Sequence, residues 1–129
     1  MDRESFIKVF HKILKHAVYC SEKARREGLL ALEEFIDSKK ADQRDIFEYG
    51  LRFTIDGNDV ELVDKILSNI IDQEKDELSK KLKNIQKEAV LSIQRGDNPR
   101  VLIALLNSYT DIPLSDPEFK KIIAYDHLN

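Results

Sequence analysis

An apolar stripe of helical period at the start of the chain constrains the fold most strongly. Apolar side chains recur at steps of mostly three and four residues, namely Phe6, Phe10, Ile13, Ala17, Cys20, Ala24 and Ala31. Such steps place side chains on one face of an α-helix, so we predict a first helix from about Ser5 to Phe35. Gly28 lies inside this range and predicts a kink or a close approach by another helix. No segment alternates with the period of two that is typical of strands, so the sequence predicts an all-α protein.

Turn and capping signals divide the rest of the chain into further helices. Asp56-Gly57-Asn58-Asp59 is the strongest turn signal, and Asp59 can cap the helix that follows. No Gly or Pro occurs between Asp59 and Gln94, so we predict one long helix over residues 59–94. A short break near Glu77 is the alternative. The other predicted helices run from about Asp42 to Phe53, from Pro99 to about Tyr109, and from Pro117 after a cap at Ser115 or Asp116.

These elements predict one domain over residues 1–129. Its fold class is all-α, a compact bundle of about five helices. The two long helices, over residues 5–35 and 59–94, are expected to pack roughly antiparallel.

The stretch EAVLSIQRGDNPRVLIALL (88–106) contains Arg95-Gly96-Asp97, the tripeptide of cell-adhesion ligands. The local chemistry favours a joint between two helices instead. Gly96 adopts positive φ at low cost and is a typical helix stop, Asn98 can cap the next helix, and Pro99 fits its first position. A tripeptide this short also occurs by chance in many proteins. We therefore predict a structural joint rather than an exposed recognition loop.

Charge narrows the classes of function. The net charge is −3 and the pI is about 5.6, which argues against general nucleic-acid binding. The stretch from Lys8 to Arg26 departs from this balance, because it contains six basic residues and a single acidic residue, Glu22. A solvated helix face is the first interpretation of this stretch, and a site for an acidic partner is the alternative.

Cysteine usage and hydropathy indicate a soluble, cytoplasmic protein. Cys20 is the single cysteine, so an internal disulfide cannot form and a reducing compartment suits the chain. Charges interrupt every apolar stretch near the N-terminus, so no signal peptide is expected. The longest uncharged run, Val101 to Thr110, is far shorter than the roughly 20 residues that cross a bilayer.

Few residues suggest chemistry. His16 and Cys20 are four residues apart and share a helix face, which could begin a zinc site, but no second Cys or His pair accompanies them. The turn at residues 56–59 lacks the alternating oxygen ligands of a calcium loop. No phosphate-binding loop, dinucleotide fingerprint or nucleophile elbow occurs in the sequence. We expect a protein that is not an enzyme, with no catalytic residues, no metal and no cofactor.

Three segments resemble the cytoplasmic portion of the bacterial flagellar stator subunit MotA. ARREGLLALEE (24–34) is similar to the segment after that family's second membrane helix. FEYGLRFTIDGNDVELVDKIL (47–67) resembles the next part of its cytoplasmic loop. KEAVLSIQRGDNPRVLIALLNSY (87–109) resembles the tail after its fourth membrane helix. The order is that of the family, and the resemblance covers most of residues 17–109.

The membrane helices of that family have no counterpart here. Residues 72–87 join the second and third segments directly through a charged, helix-forming stretch, and residues 1–16 are too polar to span a bilayer. The resemblance therefore implies a MotA-like protein without ion conduction. Its origin is either a natural relative without membrane helices or an engineered joining of two cytoplasmic pieces, and the N-terminal stretch MDRESFIKVFHKILKHAVY favours the natural one.

The resemblance also implies a partner and the residues that contact it. Arg25 and Glu33 match the Arg and Glu of the family that face complementary charges on the rotor protein FliG. With the adjacent Arg26, they are the predicted partner-binding residues. The expected partner is FliG or the stator proteins, with recruitment to the flagellar motor at the inner membrane. Self-association into a homo-oligomer is left open.

The alternative to a flagellar interaction module is a small helical scaffold or stress-response domain of the tellurite-resistance TerB type, which also has a DG turn before an acidic helix.

Overall fold

A computed structural model describes residues 1–113 and 115–123 of the chain. Every regular element in this part is helical, which confirms the all-α prediction, but the described residues form seven α-helices rather than about five, because each of the two predicted long helices is divided in two. The α-helices are α1 (Arg3–Glu27), α2 (Glu33–Asp37), α3 (Ile46–Ile55), α4 (Val60–Ile71), α5 (Glu77–Arg95), α6 (Pro99–Asn107) and α7 (Pro117–Ile123). Short 3₁₀ turns at Leu29–Leu32 and Ala41–Gln43 flank α2.

The long first helix is shorter than predicted. Helix α1 ends at Glu27, because Gly28 takes φ 92° and ψ 162°, a conformation that no helix contains. The apolar pattern nevertheless continues, since the 3₁₀ turn and α2 bury Leu32 and Ile36 completely. The predicted helix over residues 5–35 is therefore two helices joined by a corner at Gly28.

The predicted helix over residues 59–94 is also wrong as a single element. Helix α4 ends at Ile71 and α5 begins at Glu77, where the Asp76 carboxylate accepts a hydrogen bond from the Ser79 N–H at 2.8 Å. The alternative, a break near Glu77, is confirmed. The two helices run antiparallel, because Lys87 on α5 reaches Asp64 at 2.9 Å while Lys80, nearer the turn, lies 3.8 Å from Asp72.

Helix caps follow local sequence closely. Asp59 and Asn98 accept hydrogen bonds from the Leu62 and Arg100 N–H groups at 2.9 and 2.8 Å, as predicted. Asp116 caps α7 through the Phe119 N–H at 3.1 Å. The cap of α3 is Asp45 rather than the predicted Asp42, because Asp45 forms a reciprocal capping box with Glu48.

The prediction for residues 95–97 is confirmed as a joint. Gly96 ends α5 in the left-handed region with φ 75° and ψ 28°, and α6 starts at Pro99. The Asp97 carboxylate accepts hydrogen bonds from the Ser92 hydroxyl at 2.8 Å and from Arg95 Nη2 at 2.9 Å. These side chains therefore hold the joint together rather than standing free in a loop.

Helix α5 forms the centre of the bundle and packs against α1, α3, α4 and α6. Its inward face is fully or almost fully buried at Leu82, Ile85, Ala89, Val90 and Ile93. Completely buried partners come from the surrounding helices, including Phe10, Leu14, Leu51, Leu67, Leu102 and Leu106. Burial of apolar surface on this scale is the main source of stability for a chain of this size.

Candidate partner-binding surface

The predicted partner-binding residues lie around the corner at Gly28. The Gly28 N–H closes the last turn of α1 by donating to the Ala24 carbonyl at 2.8 Å. The chain then leaves the helix axis and makes the 3₁₀ turn Leu29–Leu32 before α2 begins at Glu33. We name residues 24–34 the corner segment. Its shape follows from Gly28, since side-chain-bearing residues rarely adopt a φ of 92°.

Arg25 and Arg26 occupy the last turn of α1, and both are exposed. Basic side chains are favoured there, because the carbonyl end of a helix carries partial negative charge. Within residues 1–113 and 115–123, neither guanidinium lies within 4.0 Å of a carboxylate. Both cations are therefore presented to solvent, as a partner-binding role requires.

Glu33 does not share a helix with Arg25, contrary to the geometry that the sequence predicted. It lies in the first turn of α2, beyond the corner, with 38% of its side chain exposed. Its carboxylate is 3.7 Å from Arg52 on α3. The corner still places the three residues on one short segment, but their relative positions depend on Gly28 and not on a helical repeat of two turns.

Arg52 is the charged residue of this region that sequence reasoning missed. Its guanidinium lies 2.8 Å from Asp56 and 3.3 Å from Asp37, in addition to Glu33. The hydrogen bond that Arg52 donates to the Asp56 carboxylate is the main reason why the pKa of Arg52 is raised above its usual value. The spacing of four residues between Arg52 and Asp56 was visible in the sequence, but the contacts to α2 arise only from packing.

A second ion pair fixes the corner from the other side. Lys23 Nζ on α1 lies 2.8 Å from the Glu34 carboxylate on α2. The same ammonium stands 5.7 Å from the centroid of the Phe35 ring, a distance suited to a cation–π contact. Hydrogen bonding to Glu34 raises the pKa of Lys23, so this ammonium group is fully charged at neutral pH.

An apolar side chain projects from the middle of the corner segment. Leu30 is 68% exposed, the highest fraction among the exposed large apolar residues in the described part of the chain, whereas Leu32 is completely buried. Exposure of one leucine is ordinary by itself. Here it lies between two unpaired arginines and a carboxylate, and this combination of an apolar centre and a charged margin is typical of protein-binding surfaces.

The His16 and Cys20 pair has the contact that its spacing predicted. Their Nε2 and Sγ atoms are 3.7 Å apart. Burial raises the pKa of Cys20 to about 12, so the thiol stays protonated at neutral pH. Desolvation also lowers the pKa of His16. No group of three or more His, Cys, Asp or Glu side chains with metal-site geometry occurs among the described residues.

No protein-family model matches the chain, and neither the curated proteins nor the solved structures give a significant match. Among the helices of the described residues, none combines the length and the apolar content that crossing a membrane requires.

Proposed function

We propose that this protein is a non-catalytic interaction module related to the flagellar stator. In this proposal it contacts the rotor protein FliG or the stator itself and conducts no ions. The observation that carries the proposal is the corner segment, which presents Arg25 and Arg26 without internal partners beside the exposed Leu30. In the stator family that this segment resembles, an Arg and a Glu at the positions of Arg25 and Glu33 face the rotor.

Packing between the second and third resembling segments supports the proposal. Gly50, in the second segment, approaches α4 and α5 so closely that a Cβ there would lie 2.8 Å from Leu67 Cδ1 and 3.1 Å from Val90 Cγ1. Gln94, in the third segment, donates to the Asn58 carbonyl at 2.7 Å and lies 3.2 Å from the Thr54 hydroxyl. Segments that the family separates by membrane helices therefore form one contiguous core here.

The corner is held in place by interactions that leave its arginines exposed. Arg52 connects α3 to α2, and the Lys23–Glu34 pair connects α1 to α2. A surface positioned in this way loses less conformational freedom on binding than a flexible loop. Exposed charge pairs contribute only about 0–1 kcal/mol each, so we expect weak, salt-sensitive binding in which charge mainly sets orientation and association rate.

The test is a titration of the labelled protein against the C-terminal domain of FliG at low salt. Arg25→Glu with Arg26→Glu should weaken binding and leave the melting temperature nearly unchanged, because both side chains are exposed and unpaired. Lys65→Glu with Lys75→Glu is the matched control, since it makes the same change in net charge at exposed positions outside the corner segment.

Two results would contradict the proposal. One is FliG binding that the arginine reversals leave unchanged, which removes the corner from the contact. The other is an absence of FliG or stator binding together with a thermal shift on adding zinc or calcium, which favours the TerB-like alternative. Glu33→Gln is a secondary variant only, because it also removes the contact with Arg52.

A further inference from the structure

One face of α1 carries an exposed row of four basic side chains and one tyrosine, of which only Arg26 belongs to the corner segment. Lys8, Lys12, Lys15, Tyr19 and Arg26 follow one another at steps of four, three, four and seven residues, so they share one helix face, together with the half-buried Glu22. All five are exposed, and the row is about 27 Å long at the rise of an α-helix. In the described part of the chain, only Lys8 of these cations comes within 4.0 Å of a carboxylate, that of Glu4.

A groove of about 550 Å³ runs beside this row, between α1, α2 and α3. Its apolar lining is contributed by Val9, Ile13, Phe35 and Phe47, and Lys12 lies on its edge. The His16 ring also lines it, with its centroid 5.2 Å from that of Phe47 and 5.9 Å from that of Phe35. The groove is large enough to receive a bulky apolar side chain.

The acidic side chains of the groove are already engaged within the protein. Glu48 accepts hydrogen bonds from Lys39 Nζ at 2.9 Å and from the Asp45 N–H at 3.2 Å. The Asp45 carboxylate in turn accepts the Glu48 N–H at 2.9 Å, and Glu34 is paired with Lys23. On α1, Lys12 and Lys15 have no carboxylate within 4.0 Å among the described residues, so both ammonium groups are available to pair with the carboxylates of another molecule.

We propose that α1 and the adjoining groove bind an amphipathic acidic helix of another protein. A large apolar side chain of that helix enters the groove and packs against Val9, Ile13 and Phe35. Carboxylates spaced at three and four residues along it meet Lys8, Lys12 and Lys15. An apolar groove beside a charged row is the arrangement by which helical peptides are recognised. This surface goes beyond the proposed FliG contact, since Lys8 to Lys15 precede the segments that resemble the stator.

A protein helix fits these observations better than nucleic acid or a membrane does. The groove suits an apolar side chain, which the phosphate backbone of a nucleic acid does not have. The protein has a net charge of −3, so a polyanion would be repelled by the surface outside the row. A helix that lies in a membrane surface needs bulky apolar side chains along its exposed face, and the row itself contributes Tyr19, 44% exposed.

The test uses a fluorescent synthetic peptide of about five helical turns. It carries Glu at steps of four and three and a single Phe beside the acidic row. Two matched peptides replace every Glu by Gln, or the Phe by Ala. Fluorescence anisotropy at low salt should show binding of the parent peptide, with each matched peptide binding about tenfold more weakly because charge and anchor both contribute.

Protein variants locate the contact. Lys12→Glu with Lys15→Glu should weaken binding about tenfold at low salt, because two attractive pairs become repulsive. Ser38→Trp adds bulk at an exposed position that lines the groove and should also weaken binding. Lys65→Glu with Lys75→Glu is again the control of equal charge, and it should bind the peptide as the parent protein does. Melting curves check that each variant is folded.

Several outcomes would overturn the inference. They are no binding of the parent peptide, equal binding of the Glu and Gln peptides, and binding that Lys12→Glu with Lys15→Glu leaves unchanged. If Ser38→Trp binds the peptide as tightly as the parent protein does, the groove is not part of the binding site, and the proposed mode of helix binding is wrong. Labelled duplex DNA and anionic vesicles are titrated in parallel, and tighter binding to either would assign the row to that class of ligand. None of these results depends on FliG, so they are distinguishable from failure of the proposed function.

Discussion

Replacing Gly28 by Ala should destabilise the protein, although a methyl group fits there. No heavy atom lies within 4 Å of a Cβ built at Gly28, so the cost is confined to the backbone. With φ 92° and ψ 162°, Gly28 lies in a region used almost only by glycine, where another residue costs of order 1–3 kcal/mol. Alanine also restricts the unfolded chain, which offsets about 0.4–1 kcal/mol. We expect a net loss of about 1–2 kcal/mol in the free energy of unfolding.

Asparagine separates this explanation from a general intolerance of substitution. Gly96 has φ 75° and ψ 28°, a left-handed conformation that Asn tolerates better than Ala does. Gly96→Asn should therefore be more stable than Gly96→Ala. At Gly28 the conformation is not left-handed helical, so Gly28→Asn should be as destabilised as Gly28→Ala. The two pairs of variants differ in the same atoms and test the backbone alone.

Urea unfolding followed by far-UV circular dichroism measures all four variants. If Gly28→Ala is as stable as the parent protein, or if Asn restores stability at Gly28, the backbone explanation is wrong. Amide exchange and NMR then report the structure of the corner segment. A helix that continues from α1 through residue 35 in Gly28→Ala would show that the apolar pattern prefers a straight helix and that Gly28 alone makes the corner.

Three further predictions follow from burial and charge. Leu67→Ala should lower the free energy of unfolding by about 2–5 kcal/mol, measured in urea, because Leu67 is completely buried. Ile66→Ala should lower it clearly less, because Ile66 is only half-buried. Equal losses for the two variants would contradict the packing of α4. Cys20 is buried and its pKa is raised to about 12, so a thiol reagent at neutral pH should label it only after denaturation, and rapid labelling of the folded protein would count against this burial. Hydrogen bonds from the Ser79 backbone N–H and then from the N-terminal amine lower the pKa of Asp76 from 3.8 to about 2. The ionised Asp76 carboxylate therefore stabilises the fold fully above its unfolded pKa, and this stabilisation is lost as the pH falls towards 2. Asp76→Ala should therefore reduce the acid-induced fall in melting temperature, and an identical pH profile would argue against the contribution.

Local signals in the sequence were sufficient for four of the helix ends. The caps at Asp59, Asn98 and Asp116 and the stop at Gly96 depend on hydrogen bonds within a few residues, so their chemistry is contained in adjacent positions. The apolar periodicity likewise determined the all-α class. For the candidate site, the resemblance predicted Arg25, Arg26 and Glu33, but it did not predict their arrangement or the contacts of Arg52 with α2.

Tertiary packing decided where the long helices end. A straight helix over residues 59–94 would be about 54 Å long and would leave much of its apolar face without a partner. Folding back at residues 72–76 instead lets Val63, Leu67 and Ile71 of α4 be buried in the same core as Ile85 and Ala89 of α5. At Gly28 the chain changes direction, while Leu32 and Ile36 beyond it remain buried in the core. The apolar periodicity therefore continues past Gly28, and it could not predict that the helix ends there. Sequence periodicity records which side chains are buried, whereas the direction of the backbone between them depends on which helices are available to cover them.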